Sequence, residues 1–291
     1  MLLLLHAAAM RLYHFNPFSP LILLLILVVN AAAQFDTGTV IIVGYSHDKI
    51  IVVAESRQAG EKGEHFDNGC KITALNDKFF FAASGRAEDI TQGIVGWSAH
   101  DQAKEIFDST SKESRTATNM AFDWGNKVAK RIDRYIRPEE KAKLTPRNVY
   151  LTGLFAGISP TGETEIAKVN VEPVVVNGKE MFGTTIPGDN SVEVPPVADK
   201  MNYVVLGREA DLFNELFYAT SERAKKEKAI STKESKKWRH DEMDVRLIVR
   251  VMRLVLKYSD HPEYVGGPID AAQLDKGGTI RWIQRKPNCK R

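Results

Sequence analysis

The chain has 291 residues, of which 43% are hydrophobic and 26% charged, an ordinary globular composition whose length suits one large domain or two small ones. Its 40 Lys and Arg against 37 Asp and Glu leave a net charge of only +3. That is too small to mark an extended polyanion partner, so nucleic acid is excluded as a first reading.

Arg11 and His14 precede an unbroken apolar run, Leu21 to Val29, followed by Ala31, Ala32 and Ala33. The run is shorter than the ~20 residues that cross a bilayer, and the Ala-x-Ala ending suits signal peptidase. Residues 1–33 therefore read as a secretory signal peptide cut before Gln34, with Met1 and Met10 as alternative starts and an uncleaved anchor as the competing reading. The expectation is an exported protein, periplasmic or extracellular, with no stable membrane anchor. Two cysteines, Cys70 and Cys289, cannot make a disulfide framework. One bridge is open to them after export, but the charged surroundings of Cys289 favour a buried thiol at Cys70 and a loose one at Cys289.

From Thr39 onward, Val40 to Tyr45 and Ile50 to Ala54 predict a hairpin about the turn-forming Ser46 to Lys49. Both runs are almost continuously apolar, as in strands covered on both faces. Gly60 to Gly69 reads as a surface loop. Lys71 to Leu75 and Phe79 to Ala83 predict a second hairpin around Asn76-Asp77-Lys78. Helical periodicity then predicts one helix from Ala87 to about Phe107 and another from about Thr118 to Ile136.

Further strands are predicted at Val149 to Ile158 and Glu163 to Val171, turning at Ser159 to Gly162, and near Val174 and Val204. Helices follow at Ala210 to about Lys228 and Asp241 to Tyr258, then strands at Ile269 to Leu274 and Thr279 to Ile283. The lysine-rich run Arg223 to Arg239 reads as a solvated helix end and loop. No repeat or linker divides this order, which predicts a layered α+β domain over residues 39–291.

Gly38 precedes Thr39; Glu55, Lys71 and Gly85 stand sixteen, thirty-two and forty-six positions after Thr39. Taken singly, each is an ordinary strand, strand-end, surface or turn residue. In one ungapped register, as Gly38-Thr39, Ala54-Glu55-Ser56-Arg57, Cys70-Lys71-Ile72 and Ala83-Ser84-Gly85, they resemble the proteasome β-type family of N-terminal-nucleophile (Ntn) hydrolases. Tyr203 to Gly207, Val265 to Asp270 and Gly277 to Trp282 carry a weaker likeness, so the resemblance spans Thr39 to about Ile283.

The resemblance implies a four-layer αββα sandwich and a threonine-type hydrolase of peptide or other amide bonds, an exported, bacterial-like member of the family. It implies that Thr39 becomes N-terminal by autocleavage after Gly38, releasing the short propeptide 34–38. Such a threonine carries its own base in its α-amine, whose ordinary pKa of ~7.7–8 a neighbouring cation lowers further. Lys71 suits that cation, Glu55 its orienting acid, and the Gly85 N–H the oxyanion donor. By the same resemblance Gln58, Gly69, Thr73, Ala83 and Ala87 line a roomy, uncharged side-chain pocket, no cofactor or metal is needed, and assembly into a homo-oligomeric ring is expected.

The pattern departs from the family in two respects. The acid is normally Asp, and Glu55 is one methylene longer. The outer support that the family builds from Ser and Asp side chains falls here on Arg208, Pro262 and Val265. A catalytically weakened ring or scaffold subunit of the same fold is therefore the alternative. A serine or metal hydrolase lacks support, since neither G-x-S-x-G nor H-E-x-x-H occurs.

Two cuts are predicted, by signal peptidase before Gln34 and by the chain itself before Thr39. Mass spectrometry of purified protein should find Thr39 at the N-terminus, and Thr39→Ala should retain Gln34 to Gly38. Loss of that remnant at the same bond in Thr39→Ala would argue for an external protease.

Overall fold

A computed structural model describes residues 39–59, 65–67, 69–91, 94–136, 141, 149–185, 201–207 and 209–289. The expected signal peptide (1–33), the expected propeptide (34–38, with Gly38), most of the stretch 60–69, and Arg208 lie outside the described residues.

β1 (Ile41–Tyr45) and β2 (Lys49–Ala54) form the predicted hairpin. Its turn is closed by Ser46 N–H on the Lys49 carbonyl at 2.8 Å and by the Ser46 hydroxyl on Asp48 at 2.6 Å. Two short ribbon strands, β3 (Gln58–Ala59) and β4 (His65–Phe66), precede β5 (Ile72–Ala74) and β6 (Phe79–Gly85). The β5–β6 turn is an Asx turn, in which Asn76 Oδ1 accepts from the N–H of Lys78 and Phe79, both at 2.8 Å.

The helix predicted from Ala87 is corrected next. Its first half is an antiparallel ribbon, β7 (Glu88–Thr91) with β8 (Ile94–Ser98), and helix α1 begins only at Ala99 (Ala99–Ser109). Ile90, Thr91, Ile94 and Val95 are β-branched and favour strand, while Ser98 caps α1 by accepting from Asp101 N–H. Helix α2 (Ala117–Tyr135), capped by Thr116, agrees with the periodicity to within a residue.

β9 (Leu151–Ile158) pairs with β10 (Thr164–Val176), so Val174 extends that strand and does not begin another. Asn177-Gly178, with φ of +51° and +73°, turns the chain into β11 (Lys179–Thr185). After β12 (Asn202–Leu206) the single helix predicted from Ala210 is two, α3 (Ala210–Tyr218) and α4 (Glu222–Ser235). Ala219 in the left-handed conformation ends the first, and Ser221 caps the second by accepting from Ala224 N–H. Helix α5 (Met243–Tyr258) leads to β13 (Asp270–Asp275) and β14 (Arg281–Gln284).

These strands form two five-stranded antiparallel sheets. One has the order β12-β1-β2-β13-β14 and the other β11-β10-β9-β6-β5. Strand alternation divides the apolar residues among three cores. Ile41, Val43 and Val52 of the first sheet meet Phe80, Ala82 and Leu154 of the second. Ile42, Ile51 and Val53 turn the other way onto Phe213, Ile248 and Met252 of α3 and α5. Phe81, Phe155 and Val169 pack on Met120, Trp124 and Val128 of α2. No helix among the described residues is long and apolar enough to cross a membrane.

The expectation of two separate thiols is also corrected. Cys70 and Cys289 form a disulfide, with Cα atoms 5.5 Å apart across 219 residues of chain. The charged side chains near Cys289 did not prevent this, because the Lys286 side chain is itself buried against Asp270 and brings the segment inward.

Trp124 fixes the contact between α2 and the second sheet. Its indole is fully buried and donates to the Ala99 carbonyl at 2.9 Å, and a Cβ on Gly153 would fall 2.3 Å from the ring. Gly153→Ala should therefore lower stability by ~1–3 kcal/mol through overpacking. Urea unfolding should show a lower midpoint with an unchanged slope.

Candidate active site

Thr39 lies just before β1, and its carbonyl sits against Gly207 at the end of the neighbouring strand β12. A Cβ at Gly207, where φ is +100°, would overlap the Thr39 carbonyl and come within 3.4 Å of the Ser84 hydroxyl. Only glycine permits that approach. It also leaves Ser84, near the end of β6 on the second sheet, next to the Gly207–Thr39 contact.

Lys71 comes from the opposite side, on the residue that precedes β5. Its Nζ donates to Thr39 Oγ1 at 2.8 Å, with Thr39 1% and Lys71 6% exposed. Glu55, fully buried at the exit of β2, completes the group. Its Oε1 accepts from Val40 N–H at 3.2 Å, and its Oε2 accepts from Arg57 N–H at 2.6 Å and from Gly266 N–H at 3.2 Å. The carboxylate thus joins the residue after Thr39, the exit of β2 and the glycine pair that precedes β13.

That glycine pair is shaped to its neighbours. A Cβ on Gly266 would strike the Arg57 guanidinium at 2.6 Å, and one on Gly267, with φ +77°, would strike the Ser56 hydroxyl at 2.4 Å. The Gly266 carbonyl accepts from the N–H of Ser56 and Arg57 at 3.2 and 3.1 Å. Arg57 clamps Asp67 with two bonds of 2.7 and 2.9 Å and also donates to the Pro262 carbonyl. Pro262 therefore supports the site through its backbone, whereas Val265 is packed into the core with α3 and α5.

Gly85 ends β6 opposite Leu151 with φ +113°. A side chain there would meet the Tyr150 carbonyl at 2.6 Å. The residues assigned to the side-chain pocket divide into two groups. The Gln58 side chain lies directly over Gly69, whose N–H donates to the Ser56 carbonyl at 3.0 Å. Thr73 pairs with Phe81 across β5 and β6, which puts it on the face of the second sheet that also carries Ala83, toward α1 and α2. Ala87, whose carbonyl accepts from Ala99 N–H at 2.7 Å, packs against that core.

His100, on the first turn of α1, belongs to this group and was not singled out from sequence. Its Nδ1 is 2.8 Å from Thr73 Oγ1. Burial, and after it the Lys71 cation, hold its pKa down to about 4. It is therefore a neutral imidazole at physiological pH. Nothing in the local pattern marked it, since it falls inside a stretch read as one long helix.

Among the described residues no group of three or more His, Cys, Asp or Glu side chains converges as a metal site requires. Compared with models of known protein families and with curated protein sequences, the chain matches none.

Burial pushes the Glu55 carboxyl up from 4.5 to about 7, against the opposing pull of the Lys71 cation and the three N–H donors. Below pH 4.5 folded and unfolded chains both hold this proton, and the group is without penalty. As pH rises the unfolded chain ionises first, so its contribution to stability is lost progressively up to about 7 and is constant beyond that. Thermal melts of wild type should show this decline, ~3 kcal/mol in all, and Glu55→Gln should flatten it while lowering stability at every pH. An identical pH slope in the variant would assign the decline to another group.

Proposed function

We propose that this protein is a threonine-type N-terminal-nucleophile hydrolase of peptide or other amide bonds, exported and activated by cleavage of its own Gly38-Thr39 bond. The observation that carries the reading is the 2.8 Å hydrogen bond from buried Lys71 to the hydroxyl of Thr39. A lysine cation costs free energy to bury, and a strand-edge threonine hydroxyl gives no structural reason to bury one there. The order of packing supports the same reading. Helices α1 and α2, the second sheet, the first sheet, and helices α3 to α5 follow one another across three apolar cores, which fits the four-layer αββα sandwich of Ntn hydrolases.

The chemistry follows from the groups at hand. Once the Gly38-Thr39 bond is cut, the freed α-amine of Thr39 takes the hydroxyl proton as Oγ1 attacks the substrate carbonyl. The Lys71 cation lowers the amine pKa and stabilises the developing alkoxide. The negative charge then moves to the former carbonyl oxygen, for which the Gly85 N–H is the proposed donor. Collapse expels the leaving amine with the proton held by the α-amine and leaves an ester on Thr39. Water, deprotonated by the same amine, hydrolyses that ester.

Glu55 acts one step removed. Its three N–H bonds tie the residue after the nucleophile to Arg57 and Gly266, and when ionised its charge is opposite to that of the Lys71 cation nearby. Small residues at Gly69, Ala83 and Ala87 favour large apolar or neutral side chains beside the cleaved bond. The Cys70–Cys289 disulfide fits an oxidising compartment and so favours export. Ring assembly rests on the family resemblance alone.

The deciding experiment is turnover of a fluorogenic peptide panel by protein whose N-terminus has been defined by mass spectrometry. Lys71→Ala should fold, by circular dichroism, yet lose self-cleavage and at least ~100-fold in turnover. Full activity in the folded variant removes the mechanism. An inactive wild type that nevertheless begins at Thr39 would favour the scaffold subunit.

A further inference from the structure

Lys71 stands on weak ground by its own local structure. It belongs to the coil before β5, a strand of three residues, and among the described residues β5 is the outermost strand of its sheet, paired with β6 alone. Short edge strands fray more easily than central ones. A lysine whose ammonium must stay 2.8 Å from a hydroxyl therefore needs an external hold, and a late segment of the chain supplies it at three points.

The first point is covalent: Cys289 is bridged to Cys70, the residue immediately before Lys71. The second is polar. Lys286, 6% exposed, donates from Nζ to the Gly69 carbonyl at 2.5 Å, one residue further back. The third anchors the segment itself. Asp270, fully buried, lies 3.0 Å from Lys286 Nζ through Oδ2 and accepts from the Lys286 N–H at 2.7 Å through Oδ1. Asp270 opens β13 directly opposite Ala54, the residue before Glu55. The chain segments that carry Lys71 and Glu55 are thus tied to each other through residues 286–289.

We propose that Lys286–Cys289 is a clasp that holds Lys71 in register with Thr39, so that Asp270, Lys286 and Cys289 are positioning residues and the hydrolase works only while the Cys70–Cys289 bridge is closed. The claim rests on the reading of Thr39 as nucleophile and adds to it a redox condition. Opening the bridge takes two electrons and two protons from a dithiol, which leaves as its own disulfide, and yields the two free thiols. The residues before Lys71 then lose their covalent hold on the late segment, and the Lys286 bond to the Gly69 carbonyl remains as its polar hold.

The test uses the full processed chain and two measurements. The first is the rate, as a function of pH, at which a peptidyl β-lactone acylates Thr39, read by mass spectrometry. The second is amide hydrogen exchange of the peptide covering residues 69–75, with β9 as an internal control. The variants are Cys70→Ser with Cys289→Ser, Lys286→Met and Lys286→Arg, together with wild type reduced by dithiothreitol after folding, which covers the case of a variant that fails to fold.

The open-bridge forms and Lys286→Met should keep the circular dichroism spectrum, exchange faster at 69–75 and label Thr39 at least ~10-fold more slowly. The rising limb of their pH profiles should move to higher pH, because a less well-placed cation no longer holds the α-amine pKa down. Lys286→Arg should recover most of the rate. A lower melting temperature with unchanged labelling rate, limb and exchange would make the clasp a stabiliser only and overturn the proposal. If wild type is not labelled at Thr39, the hydrolase reading fails by itself. The clasp is then decided by exchange: faster opening at 69–75 retains it as a hold on Lys71, and unchanged exchange removes it.

Discussion

Two buried ionisable side chains, the Lys71 ammonium and the Glu55 carboxyl, lie about Thr39, and much of the surrounding structure serves to supply both with partners. Lys71 directs its ammonium onto the Thr39 hydroxyl; Glu55 spends both oxygens on three N–H groups from separate parts of the chain. A buried charge without such partners is strongly destabilising. The strand ends, glycine turns and the long reach from β2 to residue 266 can be understood as the scaffold that brings these partners together.

Glycine marks the places where backbones must approach too closely for any side chain. Gly207 lets β12 end against the Thr39 carbonyl, and Gly85 lets β6 end against Tyr150. Both take positive φ, so substitution there would strain the chain as well as crowd it. The Ser84 hydroxyl of the second sheet lies 3.4 Å from a Cβ placed on Gly207, so the setting of Thr39 depends on how the two sheets are packed and not on the first sheet alone.

Much of this was legible locally. Hairpins β1–β2 and β5–β6 announce themselves by apolar runs around polar turns and α2 by its periodicity, whereas the group Thr39, Glu55 and Lys71 was singled out by a family resemblance and not by local pattern. What was not legible depends on partners distant in sequence or on a single capping residue. Ser98 and Ser221 begin helices inside stretches whose periodicity reads straight through them. The bond from Gly266 to Glu55 spans 211 residues. His100 meets Thr73 only because α1 starts at Ala99. The pairing of Cys289 could not be read from its charged neighbours, because the most important of them, Lys286, is turned inward onto Asp270.

The arrangement of the first sheet also imposes an order in time. β2, whose exit carries Glu55, is flanked on one side by β1 and on the other by β13, so the sheet cannot close until residues 270–275 have been made. Contacts of such long sequence separation form slowly and after local ones. During synthesis, which proceeds from the N-terminus, the early hairpins can exist well before Asp270 and Cys289 emerge. Thr39 and Lys71 are then present but not yet gathered, and the nascent chain holds both in an unassembled setting until almost all of it has arrived.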